Sequence, residues 1–305
     1  MVTEPIAQTP IAILTWRGEA TTRRCLESLR GRTGFPAGIV VVDNGSGTGE
    51  GERLATEFGV EAVTLEENGG VAAGYNAAIT WALAAGASHV LLSNNDLEFP
   101  DADLADRLTR LVEPGVAAVG PMIRNVDGSV WNAGGRLRPW LGHAIRTSMP
   151  WQPAPYAVDW LDGACLLVSI DAVCRIGGLA PEFFLYWEET DWSARARRAG
   201  LRLLVDPSAE VLHVGWGSGT ARQTRRYSLR NSLLFVRRDV GGPAGISAGL
   251  LWLLGRVPWF VVKRLREGGG VRGPVADAAW AIGWHLRSVA RHGWRVPADG
   301  PDLCE

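Results

Sequence analysis

The sequence predicts an α/β fold with a mainly parallel central sheet, followed by a helical C-terminal segment. Short apolar runs of β-type residues alternate with amphipathic helical stretches through the first half of the chain. Polar residues collect directly after those runs, at the sheet edge where parallel α/β proteins bind ligands. After Gly241-Gly242-Pro243 the composition shifts to Trp and Arg, which sets a domain boundary at 240.

Taken in order, Ile11–Thr15 is a buried strand and Thr21–Leu29 a helix with Cys25, Leu26 and Leu29 on one face. Ile39–Val42 is a second strand, closed by the turn-rich Asp43-Asn44-Gly45-Ser46-Gly47. Glu52–Phe58 reads as a helix, Ala62–Leu65 as a strand, and Tyr75–Ala85 as a helix stopped by Gly86. His89–Ser93 is a fourth strand, running straight into Asn94-Asn95-Asp96. The region 120–160, rich in Gly, Pro and Trp, suits irregular structure with short strands. Leu161–Ile170 holds the turn Asp162-Gly163-Ala164 and then an apolar strand. An aromatic run, Phe183–Trp187, precedes a helix from Glu188 to Arg198 that ends at Gly200. Leu201–Val205 and Glu210–Val214 read as two further strands, the second carrying His213.

The chain has 305 residues, 47% hydrophobic and 21% charged, a globular balance that excludes disorder as the main state. Its four cysteines form no CxxC pair, so neither a zinc site nor a disulfide framework is expected. No secretory leader is evident at the N-terminus, and with unpaired cysteines this suggests a cytoplasmic catalytic body. Charge is unevenly placed: residues 222–295 hold 14 Arg and Lys against three acids. Such a basic segment suits an anionic partner, a membrane surface rather than nucleic acid. Residues 245–262 are almost wholly apolar, but Arg256 and Pro258 interrupt them, so a helix lying in the interface is expected over one that spans. Trp280, Trp284, Arg287 and Arg291 recur at helical spacing, with Arg295 beyond them, as an indole and guanidinium stripe for headgroups. The competing reading makes this stripe packing on the catalytic body or a homodimer contact.

Several residues have the chemistry of a nucleotide-handling site. Asp96, after an apolar strand, suits Mg²⁺ or Mn²⁺ bound with a diphosphate, with Asn94 nearby; the plain alternative is a strand-ending turn. Asp43 could accept hydrogen bonds from a base or ribose, or make an Asx turn. Asn68-Gly69-Gly70 enters a helix that carries Asn76, where backbone N–H groups could approach a diphosphate, but it is neither GxGxxG nor a P-loop. Glu188, Glu189 and Asp191 fit helix capping, yet acids beside aromatic walls also suit a general base. His213 is a metal-ligand candidate, although a lone His is more often structural. Asp162 could line an acceptor site or simply form a turn.

The order of these motifs, VVDNGSG (41–47), ENGGVAAGYN (67–76), LDGACLLVS (161–169), FFLYWEETDWSAR (183–195) and His213, resembles the inverting family 2 glycosyltransferases of the GT-A fold. The similarity covers roughly residues 9–238 and is greatest to the rhamnosyl- and galactofuranosyl-transferase-like branch. The resemblance implies a UDP-, dTDP- or GDP-sugar donor held by Thr15, Asp43, Asn68, Gly70, Asn76, Asn94 and Asn95, with Mn²⁺ or Mg²⁺ on Asp96 and His213. It implies a hydroxyl acceptor, polyprenyl-linked or another glycan, beside Trp160, Asp162 and Gly163, and a base at Glu189 or Asp191 next to Glu188. This sequence departs from the family pattern at Trp16-Arg17, at Asn94 where the first metal-motif Asp is usual, and at Glu189 where Asp is usual. Two alternatives belong to other classes, a nucleotidyltransferase and a catalytically inactive nucleotide- or glycan-binding module. Pyrophosphate release would reveal the first, and failure to hydrolyse a nucleotide sugar the second.

Overall fold

The computed structural model describes residues 9–30, 38–101, 103–215, 221–240, 242–266, 272–294 and 296–304. The leader reading, Gly241 and Arg295 fall outside the described residues.

Strand β1 (Ile11–Thr15) leads into helix α1 (Glu19–Arg30), β2 (Ile39–Asp43) into α2 (Glu50–Phe58), and β3 (Glu61–Thr64) into α3 (Gly70–Ala84). Then come β4 (His89–Asn94), the short β5 (Leu97–Glu98), α4 (Leu104–Thr109), β6 (Val116–Asn125) and β7 (Val130–Asn132). A hairpin of β8 (Gly135–Arg138) and β9 (His143–Arg146) follows, then β10 (Tyr156–Ala157), β11 (Cys165–Ser169) and α5 (Ile170–Ile176). Helix α6 (Glu188–Arg198) precedes the long β12 (Arg202–His213). The chain closes with α7 (Ala221–Asp239), α8 (Gly242–Leu251), α9 (Val257–Arg266) and α10 (Arg272–His292).

The sheet runs β10-β12-β6-β11-β4-β1-β2-β3, with β5 on β12 and β7 on β6. Within its core β3, β2, β1 and β4 are parallel, and so are β6 and β12, while β11 runs antiparallel between β4 and β6. Because side chains alternate across a strand, Ile11 and Ile13 join one core layer with Leu26, Leu54 and Leu104. Ala12 and Leu14 point the other way, to Tyr75, Ile79 and Trp192. Burial on both faces explains the unbroken apolar runs of β1 and β2, and the edge position of β3 its exposed Glu61 and Thr64.

Three elements differ from the sequence reading. Helix α3 starts at Gly70, not Tyr75, because Gly70 at φ 81° lets the chain turn into the helix. The irregular region begins with a ten-residue strand, β6. The two strands expected over 201–214 are one, β12, broken in register between Asp206 and Glu210. Pro207 has no N–H for the ladder, and Asp206 Oδ1 accepts from Ser208 N and Oγ, so the strand bulges there.

The C-terminal helices form one further layer on α7. Leu229, Leu233 and Val236 of α7 meet Ala248, Trp252, Ala278 and Ala281, while its Leu234 and Phe235 meet Phe183 and Trp187 beside α6. Asp277 of α10, buried, receives Arg226 at 2.8 Å and Arg225 at 3.2 Å. The expected Trp280 and Trp284 headgroup stripe is corrected by this packing. Trp280 meets Tyr227 edge-on and lies under Arg226, and Trp284 lies under Arg230, so both indoles face α7. Helices α8 and α9 are joined through a π turn at Trp252–Arg256 and form one rod whose outer apolar side chains remain exposed.

The expectation of unpaired cysteines is also corrected. Cys174 of α5 is bonded to Cys304, 130 residues away, while Cys25 and Cys165 are buried thiols. No spacing motif could signal that pair, because tertiary contacts bring the tail to α5: Gly178 N donates to Pro301 O, and Arg238 Nη2 to Ala298 O and Asp299 O. The cytoplasmic reading loses the support it drew from unpaired cysteines. Reducing this disulfide, or Cys174→Ser, is expected to lower unfolding stability by about 2–4 kcal/mol. Denaturant melts with and without reductant measure it; identical midpoints would mean the cross-link is not formed in solution.

Candidate active site

A cavity of about 1010 Å³ opens at the C-terminal ends of β1 and β4, the position expected for a ligand of a parallel sheet. Thr15, Asn68, Gly70, Asn94, Asn95, Asp96, Trp160, Asp162, Gly163, Glu188, Glu189 and His213 all line it. Asp43, Asn76 and Asp191 do not line it, and each is hydrogen-bonded within the fold. Asp43 is fully buried and accepts from Ser46 N and Gly51 N, so its carboxylate shapes the loop after β2 and Asn44 takes its place in the cavity wall. Asn76 makes two bonds with the Leu179 backbone. Asp191 sits between Arg195 Nε and Arg238 Nε, both at 2.9 Å, which removes it from the choice of base.

One wall of the cavity is made of short polar links between strand ends and the helices that follow them. Thr15 Oγ1 donates to Glu50 Oε1, and Asn95 Nδ2 to Thr22 Oγ1. Asn44 Nδ2 reaches Asn68 Oδ1 and Gly70 O, tying the loops after β2 and β3 together. The N–H groups of the glycine-rich helix entry are already used: Gly70 N donates to Asn68 Oδ1 and Val71 N to Phe184 O. A Cβ at Gly70 would overlap Phe184 O, so this glycine is there for a close backbone approach.

Asp96 lies 3.4 Å from His213, Oδ2 to Nε2, and its other oxygen is buried with no hydrogen-bond partner. Burial raises the Asp96 pKa above the usual carboxylate value, and His213 acts against that. Trp131 stacks on His213 with centroids 4.5 Å apart, and the Arg146 guanidinium lies 3.8 Å over the same indole. Among the described residues no group of three or more His, Cys, Asp or Glu forms a ready metal cage. One orphaned carboxylate oxygen beside one imidazole nonetheless fits a divalent cation that completes its shell with diphosphate oxygens and water.

On the facing wall, α6 starts at two glutamates. Burial first, and then the negative charge of Asp162, raises the Glu189 pKa to about 7. Glu188 is raised well above its ordinary value by burial and by Glu189, and its Oε2 has no partner. Gly163 gives Glu189 its room, since a Cβ there would sit 3.3 Å from Glu189 Cβ. Asp162 is held by Asn132 Nδ2 at 2.8 Å, and Arg146 lies 3.5 Å away. Trp160 Nε1, also buried without a partner, completes this wall.

Sequence reasoning missed what holds the glutamates. Phe184, Tyr186 and Trp187 all have positive φ, at 62°, 69° and 81°, rare for bulky residues. Asn231 of α7, fully buried, points its Nδ2 at the carbonyls of Phe183, Leu185 and Tyr186, and Arg230 Nη2 adds Glu182 O and Phe183 O. An Arg-Asn pair within a helix offers no motif that would signal this role.

A family model, Glycosyl transferase family 2, matches residues 11–166. The chain belongs to this family. It is a glycosyltransferase with the GT-A fold, and the nucleotidyltransferase alternative falls away. It is similar to an N-acetylglucosaminyl-diphospho-decaprenol L-rhamnosyltransferase of Mycobacterium tuberculosis, 28% identical over 67% of this chain and 75% of that protein. Similarity to galactofuranosyltransferase GlfT1 of the same species is 27% over 66% of this chain and 68% of the relative. A crystal structure of GalNAc-T7 with UDP, GalNAc and Mn²⁺ superposes with a TM-score of 0.58 at 14% identity, over 95% of this chain and 58% of that one.

Asn231→Ala takes the Nδ2 donor from the carbonyls of Leu185 and Tyr186, while Phe183 O keeps Arg230, and is expected to cost about 1–3 kcal/mol. The same change is expected to lower kcat more than it raises donor KM, because the strained loop aims the glutamates. Steady-state kinetics with a denaturation curve checks this; an unchanged kcat would show that the clamp serves stability alone.

Proposed function

We propose that this glycosyltransferase is metal-dependent and inverting, and that it moves a hexose or deoxyhexose from a nucleoside diphosphate sugar to a hydroxyl of a lipid-linked glycan. The observation that carries the reading is Glu189, a carboxyl with pKa raised to about 7, in one cavity with the orphaned oxygen of Asp96.

Thr15, Asn44, Asn68, Asn94 and Asn95 line the nucleotide side, and Asp96 with His213 would hold the cation at the diphosphate. Mn²⁺ or Mg²⁺, when bound, supplies positive charge to the departing diphosphate and fixes its orientation. Trp160, Asp162 and Gly163 form the acceptor side, close to Glu189. Glu189 takes the proton of the acceptor hydroxyl as its oxygen bonds to the anomeric carbon. The bond from that carbon to the diphosphate oxygen breaks with its electron pair, releasing nucleoside diphosphate. A single displacement inverts the anomeric centre. Glu188, whose pKa burial and then its neighbour's charge push well above the ordinary value, would offer its unpartnered Oε2 to substrate.

The lipid-linked acceptor follows from the decaprenol-linked substrate in the mycobacterial relative's name, which also suggests cell-envelope polysaccharide assembly. Residues 1–240 would form the catalytic unit and 241–305 its attachment to the inner face of the cytoplasmic membrane. The exposed apolar rod over Ala244–Arg266, whose most apolar 18-residue stretch has mean hydropathy 1.5, supports peripheral attachment.

Glu189→Gln is expected to lower kcat by about 10²–10⁴ with donor affinity kept. In the wild type kcat should rise with pH through about 7, since only the ionised carboxylate accepts a proton, and this rise should vanish in Glu189→Gln. Asp96→Ala should weaken Mn²⁺ binding, read by electron paramagnetic resonance of free Mn²⁺. Turnover near wild type in Glu189→Gln would end the base assignment.

A further inference from the structure

The β8–β9 hairpin has two faces with different surroundings. In its register Leu137 opposes Ala144 and Gly135 opposes Arg146, so these four share a side. Ala144 and Arg146 line the catalytic cavity and Leu137 is buried. At the tip, one 3-10 turn over Pro139–Leu141 leaves Trp140 53% and Leu141 52% exposed. Two large apolar side chains stand where turns usually carry Gly, Asn or Asp.

The tip is fixed against the C-terminal layer. Gly142, at φ 52°, approaches Ser232 O of α7 so closely that a Cβ would collide, and Ser232 Oγ accepts from Trp252 Nε1. The tip also meets α8. From there Ile246, Leu250 and Leu254 follow at four-residue spacing, all exposed, and Leu254 is 74% exposed. Trp259 and Val262 continue along α9. A run of this kind exceeds the scattered apolar residues of an ordinary surface.

The charged residues of the tip and of the rod are basic. Arg138 and Arg256 lie near enough to His143 to lower its pKa, after burial, and Lys263 and Arg266 follow on α9. Residues 242–266 contain no acid. A second copy of the chain would set this positive rim against itself, whereas an anionic bilayer complements it.

We propose that the β8–β9 hairpin is a membrane-contacting arm: Trp140 and Leu141 enter an anionic bilayer together with the outer face of α8 and α9, and the arm's inner face leads a lipid-linked acceptor to Glu189. The inference rests on the peripheral attachment proposed above and adds the arm to it. Three strand steps, about 10 Å, carry the arm from His143 beside the tip to Arg146 in the cavity wall.

Co-sedimentation of full-length protein with phosphatidylglycerol–phosphatidylcholine vesicles tests it, using Trp140→Ser/Leu141→Ser and Leu250→Glu/Leu254→Glu. Circular dichroism confirms folding, and the thermal shift given by UDP or GDP with Mn²⁺ confirms an intact donor side. Each double variant is expected to bind at least about tenfold more weakly than wild type, with that shift unchanged and with pure phosphatidylcholine bound poorly throughout. Wild-type binding by the hairpin variant, with release of only the helix variant, would overturn the arm and leave peripheral attachment standing. A wild type that ignores the vesicles would overturn both. A dimer in light scattering that the hairpin variant dissociates would assign the patch to a second copy and overturn the bilayer contact.

Discussion

One buried amide holds the catalytic wall in shape. The segment Phe183–Trp187 carries three bulky residues at positive φ, a conformation the chain would not keep by itself. Asn231 supplies the donors its carbonyls need, and Arg230 supplies another. Because α6 begins at the next residue, the strain is converted into a fixed direction for Glu188 and Glu189. The same loop also ties down the opposite wall, since Phe184 O receives Val71 N at the start of α3. Both halves of the cavity therefore hang on a clamp from α7, a helix that also anchors the C-terminal layer.

Behind that clamp lies a charge cluster with no access to substrate. Asp191 bonds Arg195 and Arg238, and both arginines reach the backbone of surrounding turns, Arg195 at Ile176 and Gly178 and Arg238 at Ala298 and Asp299. A buried pair of this type gains little net energy over an apolar core, but losing one partner strands the other charge, at a cost of about 3–5 kcal/mol. Its effect is specificity of placement: the tail, α6 and α7 fit together in only one way. The Cys174–Cys304 bond closes the same corner.

The cavity itself is built against stability. Asp96, Glu188 and Glu189 are all raised by burial, and Asp96 Oδ1, Glu188 Oε2 and Trp160 Nε1 have no protein partner. Unsatisfied buried polar groups are costly in a folded core, and three of them on facing walls of one cavity mark where substrate completes the hydrogen bonding. Away from the cavity Asp43 and Asn76 are fully paired, while Arg238 Nη1 and Trp294 Nε1 are two further buried donors without a hydrogen-bond partner.

Much of the fold could be read from periodicity. Apolar runs such as Ile39–Val42 read as strands buried on both faces, and the polar residues after them were expected at one sheet edge, which brought Thr15, Asp43, Asn68 and Asp96 into view; Thr15, Asn68 and Asp96 line the cavity. Motif order also carried the family. What the sequence could not decide is which carboxylates face the cavity. Asp43 and Asp191 are as acidic and as well placed in the chain as Asp96 and Glu189, yet Ser46 N, Gly51 N and two arginines from distant turns claim them. Likewise Trp280 and Trp284 show a helical stripe whatever lies beside it, and only α7 determines that the stripe is packed. Local pattern fixes the elements because it depends on near neighbours along the chain. The partner of each polar or aromatic side chain depends on residues tens of positions away, and that was left to tertiary structure.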